Sequence, residues 1–224
     1  MIELELGPAR VRFTDRDDGD MGHGGAYVHE VHPDVEARRR RVVDLPWTWL
    51  RQVHGDELVR VTAPGEAAGS RADAVVTDQP GCAVAVLTAD CAPVVLASPE
   101  GAIGVVHAGW KGALAGVLQR SVKELRALGA TEVRAVLGPC IRAECYQFGE
   151  HDLAHVVDRY GTDVARCTAA GHPALDLPAA VRTALAEQGV NEVEDVGICT
   201  SCSSAHFSWR ARREQQRQAA VVWR

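Results

Sequence analysis

The sequence predicts an α+β protein, with a mixed sheet or two sheets covered by helices. Three observations carry this reading. Residues 47–107 break into six short strand-like runs, several of them joined by hairpin-length connections. Several of these runs are apolar on both faces, as strands covered from both sides are. Helical patterns are mixed among the strands instead of alternating strictly with them, which does not fit a doubly wound sheet.

Taken in order, residues 2–6 and 10–13 alternate like strands. "TDRDDGDMGHGG" (14–25) is a Gly/Asp-rich loop, and "HPDVEARRRRVVDL" (32–45) is a basic helix whose run Arg38–Arg41 is expected to be a solvated face. Strands are expected at 47–53, 58–62, 73–77, 82–89, 93–97 and 102–107. A single helix is expected over 111–128. There Leu114, Val117, Leu118, Val122, Leu125 and Leu128 form one apolar stripe, and Gly129 supplies the stop. A strand at 133–138 and a helix at 150–160 follow. The helix at 176–189 has Asp176 as N-cap, Pro178 near its first turn and Gly189 at its end. Residues 193–199 and 219–223 complete the strands.

The 224 residues can bury a full core and are expected to form one domain over 1–224. A chain 46% hydrophobic and 24% charged reads as soluble and globular, and a net charge of −6 argues against a nucleic-acid partner. No apolar run reaches membrane-spanning length, and "MIELELGPARVRF" lacks a signal-peptide core, so a cytoplasmic protein is expected. No obligate protein partner is evident. Seven cysteines without framework spacing are expected to be thiols, metal ligands or nucleophiles.

One pair of runs points to chemistry. "PVVLASPEGAIGVVH" is two strands around the turn "SPEG". Pairing Ala97 with Ala102 puts His107 opposite Ala92, one residue from Cys91, and a shift of one residue puts Cys91 directly opposite His107. Cross-strand neighbours at this spacing can share a metal or a proton. "RQVHGDE" offers a third group, His54, whose proximity does not follow from spacing. Two histidines and a cysteine would leave a fourth tetrahedral position open, the pattern of catalytic zinc. The competing reading is a buried structural thiol and two hydrogen-bonded histidines.

Further stretches carry a resemblance: "QVHG" (52–55), "ADAVVT" (72–77), "LTADCAPVVL" (87–96), "HAGWKG" (107–112), "LGPCI" (137–141), "CTSC" (199–202) and "FSWR" (207–210). Together, and in this order, the chain resembles the YfiH-like, or laccase-domain, family, whose members bear the names polyphenol oxidase and purine nucleoside phosphorylase. The resemblance implies two packed mixed sheets with helices outside, an α/β/β/α arrangement. It also implies one zinc ion on His54, Cys91 and His107, with copper the lesser alternative. Two stretches depart from the family pattern. "FTDRDDGDMGHGG" stands where "FTTRxGGVS" is usual, with Arg16 fitting the arginine. "FSWRARREQQR" keeps Arg210 and Arg217 but has Ala211 and Arg212 where arginine and aspartate are usual.

A zinc ion with an open position generates hydroxide near neutral pH, and attack at C6 of adenine is deamination. A carboxylate must then move the proton, and Asp90 and Asp73 are the candidates. The resemblance also implies phosphorolysis of adenosine, inosine, guanosine and methylthioadenosine. This makes purine nucleosides and phosphate the expected partners, with Arg16, Lys111 and Arg210 as candidate phosphate contacts. A second reading is a cysteine hydrolase acting on peptidoglycan precursors, with Cys91 as nucleophile and His107 as base. A multicopper polyphenol oxidase fits poorly, since trinuclear copper needs several H-x-H pairs and none is present. "HDLAH" (151–155) and "HEVH" (29–32) read as solvated or incidental histidines. "CTSC" has no second CxxC, so it reads as two buried thiols and not as half of a zinc ribbon.

Overall fold

The computed structural model describes residues 1–22 and 33–224. In chain order the strands are β1 (Ile2–Leu6), β2 (Ala9–Phe13), β3 (Trp47–Arg51), β4 (Leu58–Arg60), β5 (Ser70–Arg71), β6 (Ala74–Thr77) and β7 (Ala83–Thr88). They continue as β8 (Ala92–Ala97), β9 (Ile103–Ala108), β10 (Arg134–Leu137), β11 (Ala165–Cys167), β12 (Pro173–Leu175), β13 (Val193–Asp195) and β14 (Gln218–Trp223). The helices are α1 (Pro33–Val42), α2 (Trp110–Ala115), α3 (Val117–Ala127), α4 (Glu150–Tyr160), α5 (Leu177–Ala186) and α6 (Trp209–Arg212). One sheet has the order β1-β2-β14-β7-β3-β5 and a second β13-β10-β8-β9-β6-β4. Both mix parallel and antiparallel pairs.

The alternation along each strand explains the layers. On β7, Val84 and Val86 face the second sheet, while Ala83, Ala85 and Leu87 pack with Val42, Val43, Trp47 and Trp49 beneath α1. On β8, Val95 and Ala97 meet the first sheet, while Val94 and Leu96 pack with Val117, Leu118, Val122 and Leu125 of α3. Every residue of β8 and β9 is buried. The result is helix, sheet, sheet, helix, with one apolar layer between the sheets and one beneath the helices on each side. Among the described residues, no helix is long and apolar enough to cross a membrane.

Several sequence expectations shift. The helix expected over 111–128 is two helices, broken at Gly116, whose φ of 93° lies in the left-handed region. The apolar stripe continues across the break, which is why periodicity alone joins them. The strand expected over 193–199 ends at Asp195, where the carboxylate accepts from Gly197 N–H at 2.9 Å and turns the chain. Asp176 does cap α5, accepting from Ala179 N–H at 3.0 Å. The run Arg38–Arg41 is not wholly solvated: Arg39 is fully buried, 5.0 Å from the Trp49 ring, and donates to Met21 O at 2.8 Å. Burial pushes its pKa down to about 10, and the flanking indoles explain how a guanidinium sits on the sheet-facing side of α1. The "HEVH" motif and the end of the 14–25 loop lie outside the described residues.

Candidate metal centre

The chain passes from the first sheet to the second three times, between β3 and β4, β5 and β6, and β7 and β8. Because β5 and β7 both run parallel to β3, their exits lie at one end of the sandwich. His54, Asp73, Asp90 and Cys91 all sit in these three crossings, and His107 ends β9 beside them.

Cys91 and His107 meet, but not by the expected pairing. Ala97 pairs with Ile103, and His107 pairs with Pro93, so the register slips away from Cys91. The two still reach each other because both point to the sheet–sheet face as a diagonal pair. His54 Nε2 stands 3.7 Å from Cys91 Sγ, and donor atoms of His54, Cys91 and His107 lie within 4.8 Å of one another. Gly109 closes over them. A Cβ there would fall 2.8 Å from His54 Cδ2 and 3.2 Å from Cys91 Sγ, so a side chain would press on both of these donors.

Asp73 organises the cluster. It is fully buried and stands across from His107, whose Nδ1 is 2.8 Å from Asp73 Oδ1. Its carboxylate also accepts the backbone N–H groups of Val53, His54 and Gly55 at 2.8–3.2 Å. His54 adopts a φ of 60°, a costly conformation for a side-chain-bearing residue that turns these amides onto one carboxylate. Gln52 clamps β7 by bonding both backbone groups of Leu87, at 2.6 and 2.8 Å.

The electrostatics follow from this packing. Burial opposes ionisation of Cys91, but His107 and His54 outweigh it and bring the thiol down to about 6. Burial likewise opposes protonation of His107, yet Cys91 and Asp73 raise it to about 9. Asp73 is held below its ordinary range, against burial, by His107 and the backbone amides. With Nδ1 engaged by Asp73, Nε2 of His107 is left to face Cys91. A thiolate and two imidazole nitrogens, one with its far nitrogen anchored by a carboxylate, fit a zinc-class ion.

A cleft of about 550 Å³ opens over the cluster, walled by Trp110, Tyr146, Trp209 and Arg210. Asp90 lines it in a strained backbone conformation, φ 109°. Thr200 Oγ1 donates to its Oδ1 and the Arg210 N–H to its Oδ2, both at 2.7 Å. The Arg210 guanidinium lies 4.9 Å above the Tyr146 ring and donates to Gln147 O at 2.9 Å.

Not every predicted residue comes to this cleft. Arg16 lies off its walls, donating to Ser204 O at 3.0 Å and to Glu214 at 2.7 Å, so it fastens the C-terminal loop. Lys111 is exposed beside Trp110, one position beyond the wall. Ala211 and Arg212 are also off the walls, and Arg212 holds the carbonyls of Ser201 and Thr200 at 3.1 and 3.3 Å. The cleft instead gains Arg51 and Arg217, together with the aromatic residues. Arg217 stands in the stretch that resembles the family pattern, whereas Arg51, between Leu50 and Gln52, carries no local signal. His151 and His155 are exposed on α4.

Comparison with known proteins gives three kinds of match. A family model described as multi-copper polyphenol oxidoreductase laccase matches residues 20–224. A Streptomyces coelicolor protein named purine nucleoside phosphorylase is 41% identical over 231 aligned residues, covering 96% of this chain and 95% of its own. A Xylella fastidiosa protein of the same name is 40% identical over 221, covering 91% and 84%. The crystal structure of the Bacillus licheniformis hypothetical protein YfiH matches with a TM-score of 0.82 at 26% identity, covering 96% of this chain and 92% of that one.

Proposed function

The chain belongs to the multi-copper polyphenol oxidoreductase laccase family, in its YfiH-like form, and from that premise we propose a zinc-dependent enzyme of purine nucleosides. The reactions are phosphorolysis of adenosine, inosine, guanosine and methylthioadenosine, and deamination of adenosine. The observation that carries this reading is the placement of His54, Cys91 and His107 in a cleft with aromatic and cationic walls. Flat indole and phenol rings suit a purine, and a guanidinium suits phosphate. The names of the relatives support the same substrate class.

When bound by His54, Cys91 and His107, zinc supplies a Lewis acid that brings the pKa of water toward neutrality. Asp73 holds the His107 ring and the 53–55 backbone, and its engaged oxygens suit it to positioning instead of proton transfer. Asp90 faces the cleft with one donor on each oxygen, and this leaves it the carboxylate to take and return a proton. Three donors around one point hold one ion, which does not suit the copper cluster of a multicopper oxidase.

The test is a panel of the four nucleosides, with and without phosphate, alongside metal analysis. Base release should depend on phosphate, and conversion of adenosine to inosine should not. Metal-loaded protein inert toward all four would overturn the reading.

One observation favours the cysteine hydrolase acting on peptidoglycan precursors: a lowered Cys91 thiol beside a His107 that Asp73 orients. One thiolate cannot be both a tight ligand and a nucleophile. As a ligand, Cys91 should alkylate slowly with metal bound and faster after chelation. A stable acyl-enzyme at Cys91 in metal-loaded protein would establish the hydrolase instead.

Asp73→Asn turns an N–H2 group toward amides that already donate. Metal affinity is expected to fall by about 10–100-fold, measured by competition with a chelator. Unchanged affinity would remove the positioning role.

A further inference from the structure

A second group of sulfurs lies behind the cleft wall. The two thiols of "CTSC" are not both buried: Cys199 is, but Cys202 is exposed. The ligands that this motif lacks in sequence come from elsewhere, since Cys202 Sγ stands 3.2 Å from Cys145 Sγ, 57 residues away. Donor atoms of Glu144, Cys145, Cys199 and Cys202 all lie within 4.8 Å of one another. Around a tetrahedral ion with metal–sulfur bonds of about 2.3 Å, sulfurs sit roughly 3.8 Å apart, so small side-chain shifts bring these atoms onto such a shell.

The backbone holds these segments in place without the sulfurs. Cys199 pairs with Cys140 as a parallel bridge, and Thr200 N–H donates to Cys140 O at 3.1 Å. Cys145 N–H donates to Arg142 O at 3.0 Å and closes the facing turn. A disulfide would use only two of the three sulfurs.

We propose that Cys145, Cys199 and Cys202, with the Glu144 carboxylate, form a second metal site for a thiophilic divalent ion of the zinc class. Four protein donors make a closed, structural set. The ion would join the turn Ala143–Cys145 to the loop that begins at Cys199. Those segments carry Tyr146 and Arg210, which stack at the cleft mouth, and Thr200, which holds Asp90. The proposal stands apart from the activity assigned to the cleft.

The test uses cobalt(II) as probe. Protein carrying Cys91→Ser, purified under reducing conditions, should still bind one ion tightly. Its absorption should show thiolate-to-cobalt charge transfer of a strength expected for three sulfurs, not one. Adding Cys202→Ser should abolish that band, whereas adding Cys167→Ser, an exposed thiol outside the cluster, should leave it. Wild-type protein should hold two ions per chain. The proposal is overturned if Cys91→Ser protein binds no cobalt or shows no thiolate band, or if reduced preparations retain a Cys145–Cys202 disulfide. Because the readout is taken without Cys91, none of these results bears on the nucleoside activity.

Discussion

Replacing Cys91 by alanine is expected to strip most of the ion from the cleft site and to lower both nucleoside reactions by on the order of a thousandfold, the loss of about 4 kcal/mol of Lewis-acid stabilisation. Cys91 supplies the only anionic donor among the three. Its charge is also what holds His107 toward the protonated state, together with Asp73. Without the thiolate, two imidazoles remain, one of them on an exposed crossing at His54. The fold should persist, because the change deletes one sulfur atom at a partly exposed position and costs about 1 kcal/mol in burial. Metal per chain and thermal unfolding should therefore be measured on the same sample. Full occupancy with native stability would mean that the ligand set is wrong, and unfolding would show up in the melting curve.

Part of this site was legible in the sequence because it is local. "SPEG" between two apolar runs declares a hairpin, and a hairpin brings Cys91 near His107. Its register differs from the expected one because the loop has three residues and not four. Ser98 N–H donates to Ala102 O at 2.9 Å, and Gly101, at φ 100°, completes a three-residue turn. His54 and Asp73 were not reachable this way. Each sits where the chain changes sheets, and a crossing has no periodicity to read. Cys145 was missed as a partner of Cys202 for the same reason, since long-range loop contacts leave no local pattern. Arg16 and Arg39 show a different limit. Arg16 reads as a phosphate contact and Arg39 as part of a solvated face, but whether a carboxylate, a carbonyl or an indole waits for a basic residue is settled only by packing. The α/β/β/α layers were easier, because strands buried on both faces need cover on both faces.

Replacing Arg210 by alanine is expected to separate the two reactions. Phosphorolysis breaks the ribose–base bond by attack of phosphate at the sugar carbon, so a phosphate must be held in the cleft. Deamination requires no phosphate. Arg210 is the candidate phosphate contact that the fold places on the cleft wall. Its guanidinium rests on the Tyr146 ring and on Gln147 O, which sets its direction in advance. Its backbone N–H, which holds Asp90, survives in the alanine variant. The substitution thus removes the cation while leaving the carboxylate anchored. Loss of a charge-assisted pair worth about 3 kcal/mol corresponds to roughly a hundredfold, and this loss should fall on hypoxanthine release from inosine. Inosine formation from adenosine should change far less. Lys111→Ala provides the contrast, since its ammonium lies one position beyond the wall and its removal should alter phosphorolysis by only a few-fold. Both variants should be followed across a phosphate titration, where Arg210→Ala should raise the phosphate concentration needed for half-maximal rate. Equal loss of both activities, with the phosphate dependence unmoved, would place Arg210 in shaping the Tyr146 wall and remove it from phosphate binding.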